Sequence, residues 1–117
     1  EQRGKKLSGA RVLVLGATYK KDVKDLRKSP SVKLIGVLRG KGAKVGFYDP
    51  LVPYLDIEDI KFQGISLNAG TVASYDAVVI AVDHTKVDYG MVLKHAKVIF
   101  DVRNVYHGTR SDKIIKL

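Results

Sequence analysis

The sequence predicts an α/β fold in which an open parallel sheet carries helices on both faces. Two uninterrupted apolar runs, VLVL at residues 12–15 and AVVIAV at residues 77–82, are typical of strands buried on both sides. Segments with a helical spacing of apolar residues separate these runs from each other and from further short strands. Because strands alternate with helices, the pattern predicts βαβ units and hence a parallel sheet.

The strands are placed at apolar runs bounded by Gly, Pro and Asp. In chain order they are residues 12–15, 43–48, 65–67, 77–82 and 98–100, with 114–117 as a candidate last edge strand. Right-handed crossovers then favour the order 3-2-1-4-5. In this order the first and fourth strands are neighbours, so the switch point, where ligands bind in such sheets, lies between their carboxyl ends.

Three helices are predicted between these strands, over residues 30–41, 68–74 and 88–95. The first begins at Ser29-Pro30, an N-cap residue followed by a first-turn proline, and Gly42 supplies its stop. Asn68 is the expected cap of the second. Residues 51–64 are ambiguous, and a single helical turn in their middle is the one element that we place there.

Length and composition limit the class of protein. The 117 residues fit one domain, with residues 1–10 as a linker and 11–117 as the folded unit. No apolar run approaches the roughly 20 residues that cross a bilayer, so we expect no membrane partner. The chain begins at Glu1 and its single Met is Met91, so we expect it to be a piece of a longer protein.

The absence of cysteine has consequences for the chemistry of this chain. It excludes disulfides, a thiolate metal site and a cysteine nucleophile within these 117 residues, and it fits a cytoplasmic protein. The three histidines have no ligand-spaced partners, so we predict no metal site.

The formal net charge of +9 suggests anionic partners, namely nucleic acid, phosphorylated small molecules or acidic surfaces. Most of the lysines, taken singly, fit a solvated surface equally well. The six Tyr and three Phe lie mostly inside apolar runs, and no nucleic-acid motif is present. A basic α/β module that binds nucleic acid or a protein is therefore the alternative hypothesis rather than the favoured one.

Cations follow the first central strand. Lys20 and Lys21 place two ammonium groups where a diphosphate or another anion would bind, although a solvated loop explains them too. Arg27 precedes a helix start, where the helix dipole disfavours a positive charge. It therefore requires either a carboxylate, such as Asp22 or Asp25, or a ligand phosphate.

Polar residues also follow the later strands. Arg103 comes after the fifth strand, and its planar fork suits phosphate oxygens or vicinal hydroxyls; the alternative is that Asp101 pairs with a loop cation there. His84 lies beside Asp83 at the switch point, and such a pair is suited to general acid–base catalysis. No serine or cysteine nucleophile accompanies them, so loop shaping or a polar contact to substrate is the favoured role.

Asp49 ends the second strand, where an acidic residue often holds a ribose in dinucleotide folds. The loop after the first strand reads Gly16-Ala17-Thr18-Tyr19 and lacks the G-x-G-x-x-G pattern, so a dinucleotide site on this domain is unsupported. The pair Asp49-Pro50 is alternatively a simple turn.

Several separated motifs also carry a family resemblance. They are YKKD (19–22), DLR (25–27), SP (29–30), GAKV (42–45), YDP (48–50), DAVVIA (76–81), DH (83–84) and DVRN (101–104). In this order they resemble the C-terminal, UDP-sugar-binding domain of the UDP-glucose/GDP-mannose dehydrogenase family. The resemblance covers residues 9–106, and it implies a Rossmann-like fold.

The resemblance implies a function and a set of partners. Family members are NAD-dependent enzymes that oxidise the primary alcohol of a UDP-sugar to a carboxylate. An N-terminal domain binds NAD, and a central helical region carries a cysteine nucleophile and supports dimerisation. This chain would be the last part, alone inactive, with a UDP-sugar, the other two domains and a second subunit as partners.

Site residues are carried over position by position. Tyr19 and Lys20 match positions that contact the substrate across the domain cleft, and Arg103 matches the arginine that holds the nucleotide-sugar. Arg27 matches an arginine near the NAD. The run Asp83-His84-Thr85 resembles the subgroup that acts on UDP-N-acetylhexosamines more than the UDP-glucose enzymes.

Overall fold

The computed structural model describes residues 9–18, 30–57 and 60–116. Within these ranges the chain forms a five-stranded parallel sheet and a separate two-stranded hairpin. Residues 1–8 of the expected linker, and Ser29 of the expected helix start, lie outside the described residues.

The sheet confirms the predicted parallel α/β class. Its strands, in the spatial order β2-β1-β5-β6-β7, are β2 (Lys44–Tyr48), β1 (Arg11–Leu15), β5 (Ala77–Ile80), β6 (Ile99–Asp101) and β7 (Ile114–Lys116). The first and fourth predicted strands are neighbours, paired from Val12↔Ala77 to Leu15↔Ile80. The switch point therefore lies where the sequence places it, and the candidate last strand forms the β7 edge.

The opposite edge differs from the predicted order. Residues 65–67 form no strand, although a backbone hydrogen bond joins Ile65 N to Phe47 O of β2 (2.9 Å). The preceding stretch forms an antiparallel hairpin of β3 (Tyr54–Ile57) and β4 (Ile60–Gln63), where a helical turn was expected. Tyr54 is half-exposed and Leu55 fully buried, the alternation of a strand with one wet face.

The three helices are confirmed within one residue of their predicted ends. They are α1 (Pro30–Gly40), α2 (Ala69–Ser74) and α3 (Tyr89–His95). Gly42 has φ of 90°, the left-handed conformation that ends a helix readily only with glycine. Asn68 accepts a hydrogen bond from Thr71 N while the Thr71 side chain accepts from Asn68 N, which completes a capping box for α2.

The sheet is buried on both faces. Val12 and Val14 of β1 pack with α1 and Phe47, whereas Leu13 and Leu15 pack with residues of α2 and α3. The strand β5 alternates in the same way between the two cores. Helices on both faces explain why the central strands are continuously apolar, and they leave the carboxyl ends of the strands as the polar edge.

Candidate functional site

The loops that leave β1 and β5 touch at the carboxyl edge of the sheet. Gly16 has φ of 95°, and a Cβ built there would lie 2.8 Å from Val82 N and 2.9 Å from Val82 O. Only glycine permits both this conformation and this close approach of backbone. The backbones that follow β1 and β5 are therefore in close contact at the switch point, and the chain continues from this contact through Ala17 and Thr18.

The buried centre of this edge is the carboxylate of Asp49, at the end of β2. Its Oδ2 accepts hydrogen bonds from Ala17 N (2.7 Å) and Thr18 N (3.3 Å) and lies 2.8 Å from His84 Nε2. Its Oδ1 accepts from Leu51 N (2.8 Å). Asp49 thus ties together the ends of three adjacent strands, β2, β1 and β5.

The protonation of one imidazole nitrogen follows from this geometry. His84 Nε2 faces both Asp49 Oδ2 and, at 2.9 Å, Thr18 Oγ1, and all three side chains are buried. A nitrogen lone pair directed at a carboxylate oxygen would be repulsive, so Nε2 carries a hydrogen and donates it to Asp49. We call Thr18, Asp49 and His84 the buried clamp.

A second buried carboxylate shapes the loop after β6. Asp101 accepts hydrogen bonds from Val105 N and Tyr106 N, both at 2.9 Å, and is 2% exposed. Asn104 takes φ of 58°, a conformation that asparagine tolerates better than most residues. This compact turn presents Arg103, which is exposed, and whose Nε donates to Ala81 O (3.0 Å) at the end of β5.

Tyr106 fixes the same loop to α3. Its hydroxyl donates to Tyr89 O (2.6 Å), and the rings of Tyr89 and Tyr106 meet edge to face with centroids 6.4 Å apart. Burial, together with the carboxylates of Asp101 and Asp88, raises the pKa of Tyr106 well above its ordinary value.

Two clefts lined by described residues open on this edge. One, of about 280 Å³, lies between the loops after β5 and β6, and Asp83, Asn104 and His107 line it. The other, of about 360 Å³, lies between the end of β2 and the residues that follow the hairpin. Among the described residues, no group of three His, Cys, Asp or Glu side chains is placed to bind a metal ion. No described helix is long and apolar enough to span a bilayer.

The structure places some of the predicted site residues and leaves others undescribed. Arg103 is exposed at the carboxyl edge, anchored to the end of β5. Tyr19, Lys20, Lys21 and Arg27 lie outside the described residues, so their roles stay predictions.

Asp49 and His84 prove to be internal partners, and Thr18 is a member of their cluster that sequence reasoning missed. A single sequence does not reveal that Thr18 contacts His84, 66 residues away. Asp49 and His84, the other two members of the cluster, do lie in the motifs YDP and DH. The turn suggested for Asp49-Pro50 is present, since Asp49 accepts from Leu51 N.

The described residues do not fit a dinucleotide. Asp49, the residue that would hold a ribose, is 4% exposed and is engaged by Ala17, Thr18, Leu51 and His84. The first strand is followed by Gly16-Ala17-Thr18 without further glycine.

An open, doubly wound sheet whose polar loops meet at its switch point defines a nucleotide-binding type of α/β domain. The profile of the UDP-glucose/GDP-mannose dehydrogenase family, UDP binding domain, matches residues 13–108. The chain belongs to this family.

Individual relatives of the chain carry names of the same family. UDP-N-acetyl-D-mannosamine dehydrogenase of Methanococcus maripaludis is 32% identical over 104 residues, covering 81% of this chain and 23% of the relative. UDP-glucose 6-dehydrogenase of Rhizobium meliloti is 28% identical over 126 residues, covering 97% of this chain and 26% of the relative. The solved UDP-D-ManNAc dehydrogenase from Pyrococcus horikoshii superposes with a TM-score of 0.73 at 29% identity, over 95% of this chain and 26% of that one. The chain thus spans about a quarter of the length of these relatives.

Proposed function

We propose that this domain binds the nucleotide portion of a UDP-sugar and is part of an NAD-dependent UDP-sugar 6-dehydrogenase. The observation that carries the proposal is the match of residues 13–108 to the UDP binding domain of the family. The reaction converts the C6 alcohol of the sugar to a carboxylate. With water as the oxygen source, it delivers two hydrides to two NAD⁺ molecules.

Within this proposal, Tyr19, Lys20 and Arg103 contact the UDP-sugar, and Arg27 lies near the NAD. The assignment of Arg103 is supported by its exposed position on a loop whose Val105 and Tyr106 amides donate hydrogen bonds to Asp101. With its Nε donating to Ala81 O, this guanidinium would bind two diphosphate oxygens through its two terminal nitrogens, with little loss of side-chain entropy. The missing cysteine nucleophile and most of the NAD site would come from the remainder of the protein, which would act in the cytoplasm as a homodimer or larger oligomer.

We propose a UDP-N-acetylhexosamine, either the gluco or the manno isomer, as the substrate. Supporting this choice are the run Asp83-His84-Thr85 and the relatives that carry the name UDP-N-acetyl-D-mannosamine dehydrogenase. UDP-glucose is the competing substrate, since a UDP-glucose 6-dehydrogenase is also among the relatives.

The test is to express the complete reading frame and follow NADH formation with UDP-N-acetylglucosamine, UDP-N-acetylmannosamine and UDP-glucose in parallel. Turnover of one sugar with about two NADH per sugar would establish the four-electron oxidation and identify the substrate. A folded, NAD-bound protein that oxidises none of them would contradict the proposal. The basic module would then be tested by salt-dependent binding to DNA and RNA.

A further inference from the structure

We infer that Asp49 and His84 are positioning residues for the nucleotide-sugar site, and this inference rests on the proposed function. Neither side chain is accessible enough to bind a ligand itself, since Asp49 is 4% and His84 0% exposed. Asp49 acts instead on the backbone N–H groups of Ala17 and Thr18, and His84 acts on Asp49 and on the Thr18 hydroxyl. The loop that carries Tyr19 and Lys20 continues directly from these two residues.

The hydrogen bonds show what is being held. Asp49 Oδ2 accepts hydrogen bonds from two consecutive backbone nitrogens, at N–O distances of 2.7 Å and 3.3 Å, and from His84 Nε2 at 2.8 Å. These two N–H groups belong to the peptide planes on either side of the Ala17 Cα, so their bonds to one oxygen fix the orientation of both planes. Those planes set the direction in which the chain leaves β1 at Thr18, the residue that directly precedes Tyr19 and Lys20 in the sequence.

The choice of polar groups indicates a function beyond filling the core. A buried carboxylate and imidazole stabilise a fold no better than apolar side chains of the same volume, because both must first be desolvated. What they provide is a defined geometry. The Oδ1 atom adds to it by binding Leu51 N, so the carboxylate cannot rotate without losing a further bond.

His84, which follows β5, holds the Asp49 carboxylate in place by a hydrogen bond. Its Nε2 lies between Asp49 Oδ2 and Thr18 Oγ1. The Nε2 atom of a glutamine lies the same number of bonds from Cα as the Nε2 atom of histidine, whereas the amide nitrogen of asparagine corresponds to Nδ1. His84→Gln therefore retains the donor to Asp49, and His84→Asn removes it, with both variants uncharged.

The experiment is steady-state kinetics of the complete enzyme with its UDP-sugar and NAD⁺, for wild type, Asp49→Asn, His84→Gln and His84→Asn. We expect Asp49→Asn and His84→Asn to raise the KM for the UDP-sugar about tenfold or more, with the KM for NAD⁺ unchanged. His84→Gln should stay close to wild type. A residue that only stabilises the fold would lower Tm and the active fraction without this selective change in KM.

Asp76→Asn is the matched control. Asp76 Oδ2 accepts a hydrogen bond from Arg11 N (2.9 Å), so it holds the opposite end of the same strand by the same chemistry. This variant should lower Tm and leave the KM for the UDP-sugar unchanged. If Asp49→Asn does not fold, the comparison of His84→Gln with His84→Asn decides the question.

An active wild type whose Asp49→Asn and His84→Asn variants keep the wild-type KM for the UDP-sugar would overturn this inference alone. Equal KM values for His84→Gln and His84→Asn would also overturn it. A wild type that neither reduces NAD⁺ nor binds UDP would overturn the proposed function, and the inference with it.

Discussion

The carboxylate of Asp49 and the imidazole of His84 lie 2.8 Å apart with no exposed side-chain surface, although 35 residues separate them in sequence. One ends β2 and the other follows β5, and β1 lies between these strands. The pair therefore closes over the end of the central strand, and its loss should affect stability as well as the site.

Replacing Asp49 with alanine should lower the free energy of unfolding by about 3 kcal/mol or more, because the amides of Ala17, Thr18 and Leu51 and the His84 hydrogen lose this acceptor. Urea denaturation monitored by circular dichroism measures the change. The control is Asp76→Ala, which removes an acceptor from an exposed amide and should cost about 1 kcal/mol or less. Equal losses in the two variants would contradict the importance given to the buried clamp.

Gly16→Ala should destabilise the domain by about 3 kcal/mol or more. The substitution imposes a side chain at φ of 95° and drives its Cβ against the backbone of Val82. Gly108→Ala separates the two causes, since Gly108 has φ of 79° but no atom within 4 Å of the added Cβ. It should cost only about 1 kcal/mol. Thermal unfolding of both variants measures the difference, and a Gly16→Ala protein as stable as Gly108→Ala would refute the close contact.

The raised pKa of Tyr106 predicts a loss of stability in alkali. Above about pH 10 the unfolded tyrosine releases its proton while the folded one retains it, so the unfolded state binds fewer protons and stability falls as pH rises. The contribution of protonated Tyr106 to the free energy of unfolding is fully present below that pH. Denaturant unfolding at a series of pH values should show a shallower alkaline decline in Tyr106→Phe than in wild type.

The same variant should cost about 1 kcal/mol at neutral pH, because the hydrogen bond to Tyr89 O is lost. Identical alkaline slopes in wild type and Tyr106→Phe would show that Tyr106 does not cause the decline.

Arg103→Ala in the complete enzyme should weaken UDP-sugar binding by about 1–3 kcal/mol, or roughly 5- to 150-fold in KM, if the guanidinium contacts the nucleotide-sugar. Arg103→Lys retains the charge but loses both the planar fork and the Nε bond to Ala81 O, so its effect should be intermediate. Arg110→Ala, at an exposed loop position, is the control and should leave KM unchanged. A wild-type KM in Arg103→Ala would show that Arg103 does not contact the substrate. Lys20→Ala tests the predicted role of Lys20 in the same assay.

Prediction from sequence succeeded where the cause is local. The continuous apolar runs of β1 and β5 reflect burial on both faces of the sheet. Asn68 caps the start of α2 by a hydrogen bond to a residue three positions away, and the positive φ of Gly42 ends α1. The hairpin β3–β4 was missed because its exposed Tyr54 and buried Leu55 form a short alternation interrupted by polar residues. The sequence pattern alone does not separate such a hairpin from a helical turn, whereas the antiparallel pairing of β3 with β4 and the burial of Leu55 do.

The sequence by itself determined the class of fold, the neighbouring central strands, the ends of the helices and, through several ordered motifs, the family. The tertiary structure alone decided that Asp49 and His84 face each other rather than a ligand, and that Asp101 binds the amides of its own loop rather than a cation. The physical reason is that a carboxylate has the same sequence signature whether it binds a ribose or a backbone amide. Which of these it meets depends on how distant strand ends are brought together by the sheet.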